Sequence, residues 1–205
     1  MSLDSVDGSG ISWSVELGVA DWVEDCIGRV GKNLVSSVMP DCFSQYRVLR
    51  DEHLGYLSKS STALLAQTLQ KQVGELPIDC VYCVWEGYGP LHNGSVSVLS
   101  SDNSHQDSSH LGLLTPEIEN GPRAMISGRS YYLYAGLVDD ALALSPWLLS
   151  PNFWWSRDRS WFVATPIDTH FTFIGGSNEL GSNLSKVFSE SWSVQPTDDL
   201  YTSWN

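Results

Sequence analysis

Apolar positions recur along the chain in two rhythms, and the changes of rhythm mark the elements. Residues 1–12 are polar and rich in Gly and Ser, and predict a loose start. Over 21–35, Trp22, Val23, Cys26, Ile27, Val30 and Leu34 return at helical spacing and form one apolar stripe. Asp21 is placed to cap this helix, Gly28 and Gly31 weaken its middle, and Pro40 halts the chain soon after. A second helix is predicted over 62–73, with Leu65, Leu69 and Val73 on one face, Ser60 or Ser61 at its start and Gly74 at its end.

Strand-like stretches follow. Residues 42–49 mix aromatic and β-branched types and read as a strand or an extended crossing. Residues 78–88 give the strongest strand signal, closed by Gly87 and Gly89. A long soft region spans 92–128, and within it 100–109 is rich in Ser, Asp and Asn and predicts an exposed loop. Residues 130–138 read as a strand and 139–149 as a short helix. Residues 161–168 and 170–174 read as a hairpin turning near Asp168 and Thr169. Gly175, Gly176 and Ser177 then lead into a helix over 178–189, with Ser177 as N-cap and Leu180, Leu184, Val187 and Phe188 on its buried face. Residues 192–194 predict a short edge strand. Helices and strands are segregated rather than alternating. The prediction is therefore one α+β domain over 1–205, with a mostly antiparallel sheet of about four to five strands packed by about three helices.

Composition refines this picture. The 205 residues are 42% hydrophobic and 17% charged, apolar enough to bury a core. The nine Trp and eight Tyr bring large contact area with polar tips that need partners when buried. The net charge of −13 comes from 24 acidic and 11 basic residues spread along the whole chain. Such a field repels phosphate backbones and argues against nucleic acid, and it would attract a basic protein while also serving solubility. The longest apolar runs are too short to span a bilayer. The first residues lack the basic patch and apolar stretch of a signal peptide. A cytoplasmic protein with reduced thiols is expected.

Few motifs carry chemistry. Cys80 and Cys83 have the CxxC spacing, with Cys26 and Cys42 upstream. Residues three apart on a strand face opposite ways, so these thiols read as small apolar residues rather than zinc ligands or a redox pair. No metal site and no cofactor is predicted. His92 follows the first strong strand with Glu86 nearby, a pairing that allows acid–base work but is also common in a surface turn. The Gly-Gly-Ser turn before a helix can hold an anion, yet the dinucleotide and P-loop fingerprints are absent.

The segment 151–177 stands out. Trp154, Trp155 and Trp161 flank Arg157, Asp158 and Arg159 within a short loop over 152–161. An Arg stacked on a Trp and paired with Asp158 would lock that loop against the sheet. Trp and Arg also dominate binding hot spots. The structural lock is the better-supported of the two.

Several stretches resemble a bacterial protein family with no established activity. They are 43–49 after Val38-Met39-Pro40, 84–89, 132–136, and above all Ser150-Pro151-Asn152-Phe153-Trp154-Trp155 through Asp158-Arg159-Ser160-Trp161, Ala164-Thr165, Ile167-Asp168 and Ile174-Gly175-Gly176-Ser177. The sequence departs from that pattern at Ser156, where a Pro is expected, and at Pro166, where an acidic residue is expected. The resemblance implies a bacterial domain and carries no mechanism.

Two functions are weighed. The first is a non-catalytic protein-binding role of the inhibitor or immunity type. It would present an acidic, aromatic surface around 151–161 and 85–92 to a basic partner, through Trp154, Trp155, Arg157, Asp158, Arg159, Trp161, Glu86 and His92. The second is an enzyme or small-molecule binder with a pocket between the sheet and the Trp-rich loop. It requires Glu86, His92, Asp158, Arg159 and Asp168 to converge on one concave site. A purely structural or oligomerisation module is the remaining possibility.

Overall fold

A computed structural model describes residues 10–27, 33–72, 76–88, 91, 114–147 and 150–201. One antiparallel sheet forms their centre. Its nine strands among these residues are β1 Ser12–Trp13, β2 Gln45–Arg50, β3 Asp79–Trp85, β4 Ala124–Ile126, β5 Arg129–Leu137, β6 Phe153–Ser156, β7 Phe162–Ala164, β8 Phe171–Gly176 and β9 Trp192–Ser193. In space the order is β1-β5-β3-β6-β7-β8-β2-β9, with β4 also paired to β5. Four α-helices are described: α1 Asp21–Cys26, α2 Lys59–Gln70, α3 Pro116–Glu119 and α4 Asn178–Val187. Short 3-10 stretches lie at Leu17–Ala20, Val35–Ser37 and Val138–Trp147. The class is α+β as predicted, but nine strands replace the expected four to five and the helices outnumber three.

The sheet has core on both faces. One face packs under α2, α4, α3 and the 138–147 stretch, through Leu65, Leu69, Leu180, Leu184, Ile118 and Val138. The other packs under α1 and the two N-terminal 3-10 turns, through Trp22, Val23, Val35 and Met39. Successive strand residues point to opposite faces, and the central strands obey this strictly. Tyr82, Trp154, Val163 and Ile174 form one cross-strand row on the α2 face. Val81, Trp155 and Phe162 form the matching row on the α1 face. That row ends at Gly175, opposite Phe162 and Tyr46. A Cβ there would stand 2.4 Å from the Phe43 ring, so only glycine lets Phe43 close the row. The same alternation sends Cys80 and Cys83 into different faces, as expected. Burial pushes the Cys80 thiol up to about 12, which leaves it inert near neutrality. Two of the four thiols are not buried, however: Cys42 is exposed and Cys26 is half-buried.

The elements legible in the sequence are mostly present, with shifted ends. Ser177 Oγ accepts from the Leu180 N–H and caps α4 as predicted. The hairpin across Asp168 and Thr169 is β7–β8, and β9 is the short edge strand beside β2. For α2 the cap is Ser58, whose Oγ accepts from the Ser61 N–H, so the helix starts ahead of both predicted caps. The helix predicted over 21–35 ends at Cys26. Ile27 is already extended, and Val35 begins a separate 3-10 turn. Asp21 does not cap α1, because a 3-10 turn runs straight into the helix from Leu17. The loose start is also shorter than expected: Ile11 is fully buried, and Ser12 and Trp13 pair with β5. The soft region 92–128 contains α3 and β4, joined to β5 by a two-residue turn in which Ser127 and Gly128 both have positive φ (52° and 75°). That geometry is the type I′ turn that matches strand twist. The proposed loop at 100–109, and the predicted residues Gly28, Val30, Gly31, Val73, Gly74, Gly89 and His92, lie outside the described residues. No helix among the described residues is long and apolar enough to cross a membrane.

Because Trp155 stacks on Phe162 at 5.6 Å and meets Trp22 at 6.0 Å, Trp155→Ala should cost about 3–5 kcal/mol. This would appear as a fall on the order of 10 °C in Tm. Gly175→Ala should cost about 1–3 kcal/mol through overpacking against Phe43. Urea unfolding of both variants checks the pair.

Candidate functional site

The backbone of the Trp/Arg segment is not a loop. Phe153–Ser156 is a central strand, hydrogen-bonded to β3 on one side and β7 on the other. Trp154, Trp155 and Trp161 are each 1% exposed and offer no face to a partner. Trp154 stacks on Tyr82 at 6.0 Å and meets Trp161 edge-on at 5.4 Å. The expectation that these three form a binding surface is therefore corrected. Alternation drives them into the core, and two adjacent Trp on one strand serve two opposite faces.

The charged residues between them form the β6–β7 turn. Ser156 O accepts from the Arg159 N–H at 2.7 Å, and Ser156 Oγ accepts from the Ser160 N–H at 3.0 Å. Asp158 Oδ1 also accepts from the Ser160 N–H at 3.0 Å. Partial burial pushes the Asp158 carboxyl up, but hydrogen bonds from Ser156 and Ser160 outweigh it and hold the group below its ordinary value. Arg159 closes the turn in the left-handed region at φ 62°. Its guanidinium lies 5.1 Å from the centre of the Trp22 ring, which fastens the turn to α1. Arg157 points away to an exposed pair with Glu16 at 3.2 Å. The stacking partner of the lock is thus Trp22, and Asp158 bonds its own turn rather than an Arg.

The rest of the signature is also architectural. Asn152 is 1% exposed and joins three strands. Its backbone N–H donates to Cys83 O and its carbonyl accepts from the Thr165 N–H, at 2.8 and 2.6 Å. Its Oδ1 accepts from the Trp85 N–H at 2.8 Å, and its Nδ2 donates to Tyr88 Oη at 2.9 Å and Thr165 O at 3.2 Å. Tyr88 in turn donates to Gly55 O, and Ser150 Oγ accepts from the Leu57 N–H. The 51–58 connection is thereby bolted to the end of the sheet.

That connection carries a pair that the sequence reading passed over. His53 Nδ1 lies 2.6 Å from Asp51 Oδ1, while Asp51 Oδ2 accepts from the Ser58 N–H at 3.0 Å. Burial pushes the Asp51 carboxyl up, and the hydrogen bonds from His53 and Ser58 more than offset it, so the group titrates below its ordinary value. The pair lines neither of the two cavities described below. It holds the turn ahead of α2.

The remaining predicted site residues divide between opposite ends of the sheet. Arg157, Asp158 and Arg159 follow β6 at the end where β3 begins, since Cys80 pairs with Ser156. Glu86 follows the far end of β3 and pairs with Arg123 Nε at 3.2 Å. Arg123 lies 3.7 Å from the Tyr132 ring centre and ties the carbonyls of Ile118 and Glu119 to the sheet. Asp168 is also at this far end, paired with Arg129 Nη2 at 2.8 Å. The convergence required of a pocket built from Glu86, Asp158, Arg159 and Asp168 does not occur.

Two of the hollows among the described residues lie at the two ends of the sheet. One, at the β3 start, has a volume of about 530 Å³ and is bordered by Ser12, Asp79, Asp140 and Arg157. The other is a groove of about 470 Å³ between α1, the β4–β5 turn and the β7–β8 turn. Its apolar side is formed by Ile27, Val38, Tyr131, Phe153, Ile167 and Leu200. Its polar rim carries Glu24, Arg129, Asp168 and Tyr201. Ser127 braces the rim, donating its N–H to Glu24 Oε2 at 3.0 Å and its hydroxyl to Ser37 O at 2.9 Å. Arg129 lies 5.8 Å from the Trp85 ring centre, so Trp85, the first residue of the predicted 85–92 surface, borders the groove. An apolar pocket side with a few fixed polar groups is the usual form of a ligand site. No group of three or more His, Cys, Asp or Glu among the described residues could hold a metal ion.

Asn152→Leu should cost roughly 3–5 kcal/mol, because it strands at least two backbone groups at about 1–3 kcal/mol each. Chemical denaturation measures this. For Asp51, stability from its depressed folded titration is complete above the unfolded value near 3.8 and disappears as pH falls through the lower folded value. Asp51→Asn should therefore destabilise the protein at pH 6 and lose its excess effect in the acid limb below 3.8, as read from Tm against pH. Compared with protein-family models, curated proteins and solved structures, the chain matches none.

Proposed function

We propose that the protein is a non-catalytic binding protein of the inhibitor or immunity type, acting in the bacterial cytoplasm, and that it engages a basic protein partner at the groove end of the sheet. The observation that carries this reading is the groove itself: an apolar side walled by carboxylates, on a chain of net charge −13. Charge of this sign speeds encounter with a cationic partner and turns away nucleic acid. The bacterial assignment rests on the Ser150–Trp161 and Ile174–Ser177 resemblance. The binding face is redrawn relative to the sequence expectation. Trp85 stays beside it, Glu86 lies at the same end of the sheet, and Asp168 joins it, while Trp154, Trp155 and Trp161 are buried and Arg157, Asp158 and Arg159 lie at the other end.

Charge reversal at the rim tests the reading. Asp168 and Glu24 are exposed, so Glu24→Lys with Asp168→Lys should leave Tm within about 2 °C. Salt-sensitive retention of a basic partner from native extract should weaken at least tenfold. Arg157→Ala, at the other end, should retain it. A partner held equally well by the reversed and native proteins would end the proposal.

A further inference from the structure

The groove's chemistry narrows what a partner would insert, an inference that rests on the binding-protein reading above. Its two carboxylates sit on different walls, Glu24 on α1 and Asp168 on the β7–β8 turn. Only Arg129 supplies positive charge among the described lining residues, and it is already engaged with Asp168. Glu24 Oε2 is oriented by the Ser127 N–H, and the carboxylate has a second acceptor oxygen. Beside them Tyr201 is 53% exposed and presents an aromatic ring at the rim. Ile27 and Val38 give an apolar wall suited to a methylene stem.

The molecule already displays this mode of recognition at the groove's edge. There the Arg129 guanidinium lies between the Trp85 ring, at 5.8 Å, and the Asp168 carboxylate, at 2.8 Å. A guanidinium is planar, weakly hydrated and able to stack and pair at once, whereas an ammonium is a strongly hydrated point charge. We propose that the groove receives a single arginine side chain from a loop of the basic partner, with its guanidinium pairing Glu24 and stacking at Tyr201 and its stem along Ile27 and Val38. The volume of about 470 Å³ holds one long side chain and lies at the small end of the range of about 300–1,000 Å³ typical of ligand pockets.

The test uses the ¹⁵N-labelled full chain and the peptide acetyl-Gly-Ser-Arg-Ser-Gly-amide, with lysine and norleucine versions as controls. The arginine peptide should shift the Ser127 and Asp168 amides saturably, the lysine version should bind several-fold more weakly, and the norleucine version should not bind. Glu24→Gln keeps an acceptor for the Ser127 N–H and removes the charge, and should weaken the arginine peptide about tenfold with no change in Tm. Tyr201→Ala should weaken it as well. Silence at these amides with millimolar arginine peptide overturns the inference. Equal binding of the norleucine peptide overturns it in favour of plain apolar docking, and concentration-dependent shifts without peptide overturn it in favour of a second copy of the chain. If the charge reversals abolish partner retention while the arginine peptide stays silent, the binding reading stands and the arginine assignment falls.

Discussion

The side chain of Asn152 is the constraint on which the rest of the sheet depends. A buried amide is tolerated only when its donors and acceptor are satisfied. Here satisfaction requires β3, β6 and β7 to stand in one register, because the side chain bonds Trp85 and Thr165 while the backbone N–H of the same residue bonds Cys83. A shift of one residue would leave the amide unpaired and would turn Trp154 and Trp155 to the wrong faces. Polar satisfaction and apolar burial thus select the same alignment. Through Tyr88 and Gly55 the same amide also positions the connection ahead of α2.

Around this point the signature segment works as a frame. Ser150 anchors the 51–58 connection, Trp154 and Trp155 fill the two core layers, and the 156–160 turn is closed by Arg159 over Trp22. Gly175 leaves room for Phe43, and Ser177 starts α4. A fold can preserve such a frame while function resides elsewhere. The groove is built largely from positions outside the densest part of the signature, on α1, the β4–β5 turn and the 198–201 region.

Much of this was legible along the chain, and the failures have physical causes. The amphipathic face of α4 was legible from its local period at Leu180 and Leu184, although Val187, expected on that face, is exposed at the last turn, and β3 was legible from a run of β-branched and aromatic residues closed by glycine. Strand β6 was missed because Phe153, Trp154 and Trp155 are apolar without alternation, the pattern of a strand buried on both sides. Strands β1 and β4 are two and three residues long, too short to impose a period. The 21–35 stripe overran because periodicity persists through Ile27, where the backbone has already turned to the extended form. The groove could not be foreseen, since Glu24, Arg129, Asp168 and Tyr201 meet only through tertiary packing. A faint signal did exist for Asn152, a polar residue set against aromatic neighbours inside an apolar run.

The flanks of the sheet limit how another chain can approach. At one side β5 is covered by β1 and β4, and at the other β2 is covered by β9, none longer than three residues. Among the described residues, edges this short are poor templates for an incoming strand, which disfavours backbone augmentation as a docking route. A partner of the kind proposed would be read through its side chains. Discrimination would then depend on which residue it projects rather than on the shape of its main chain, and one substitution on the partner could gain or lose recognition without either fold changing.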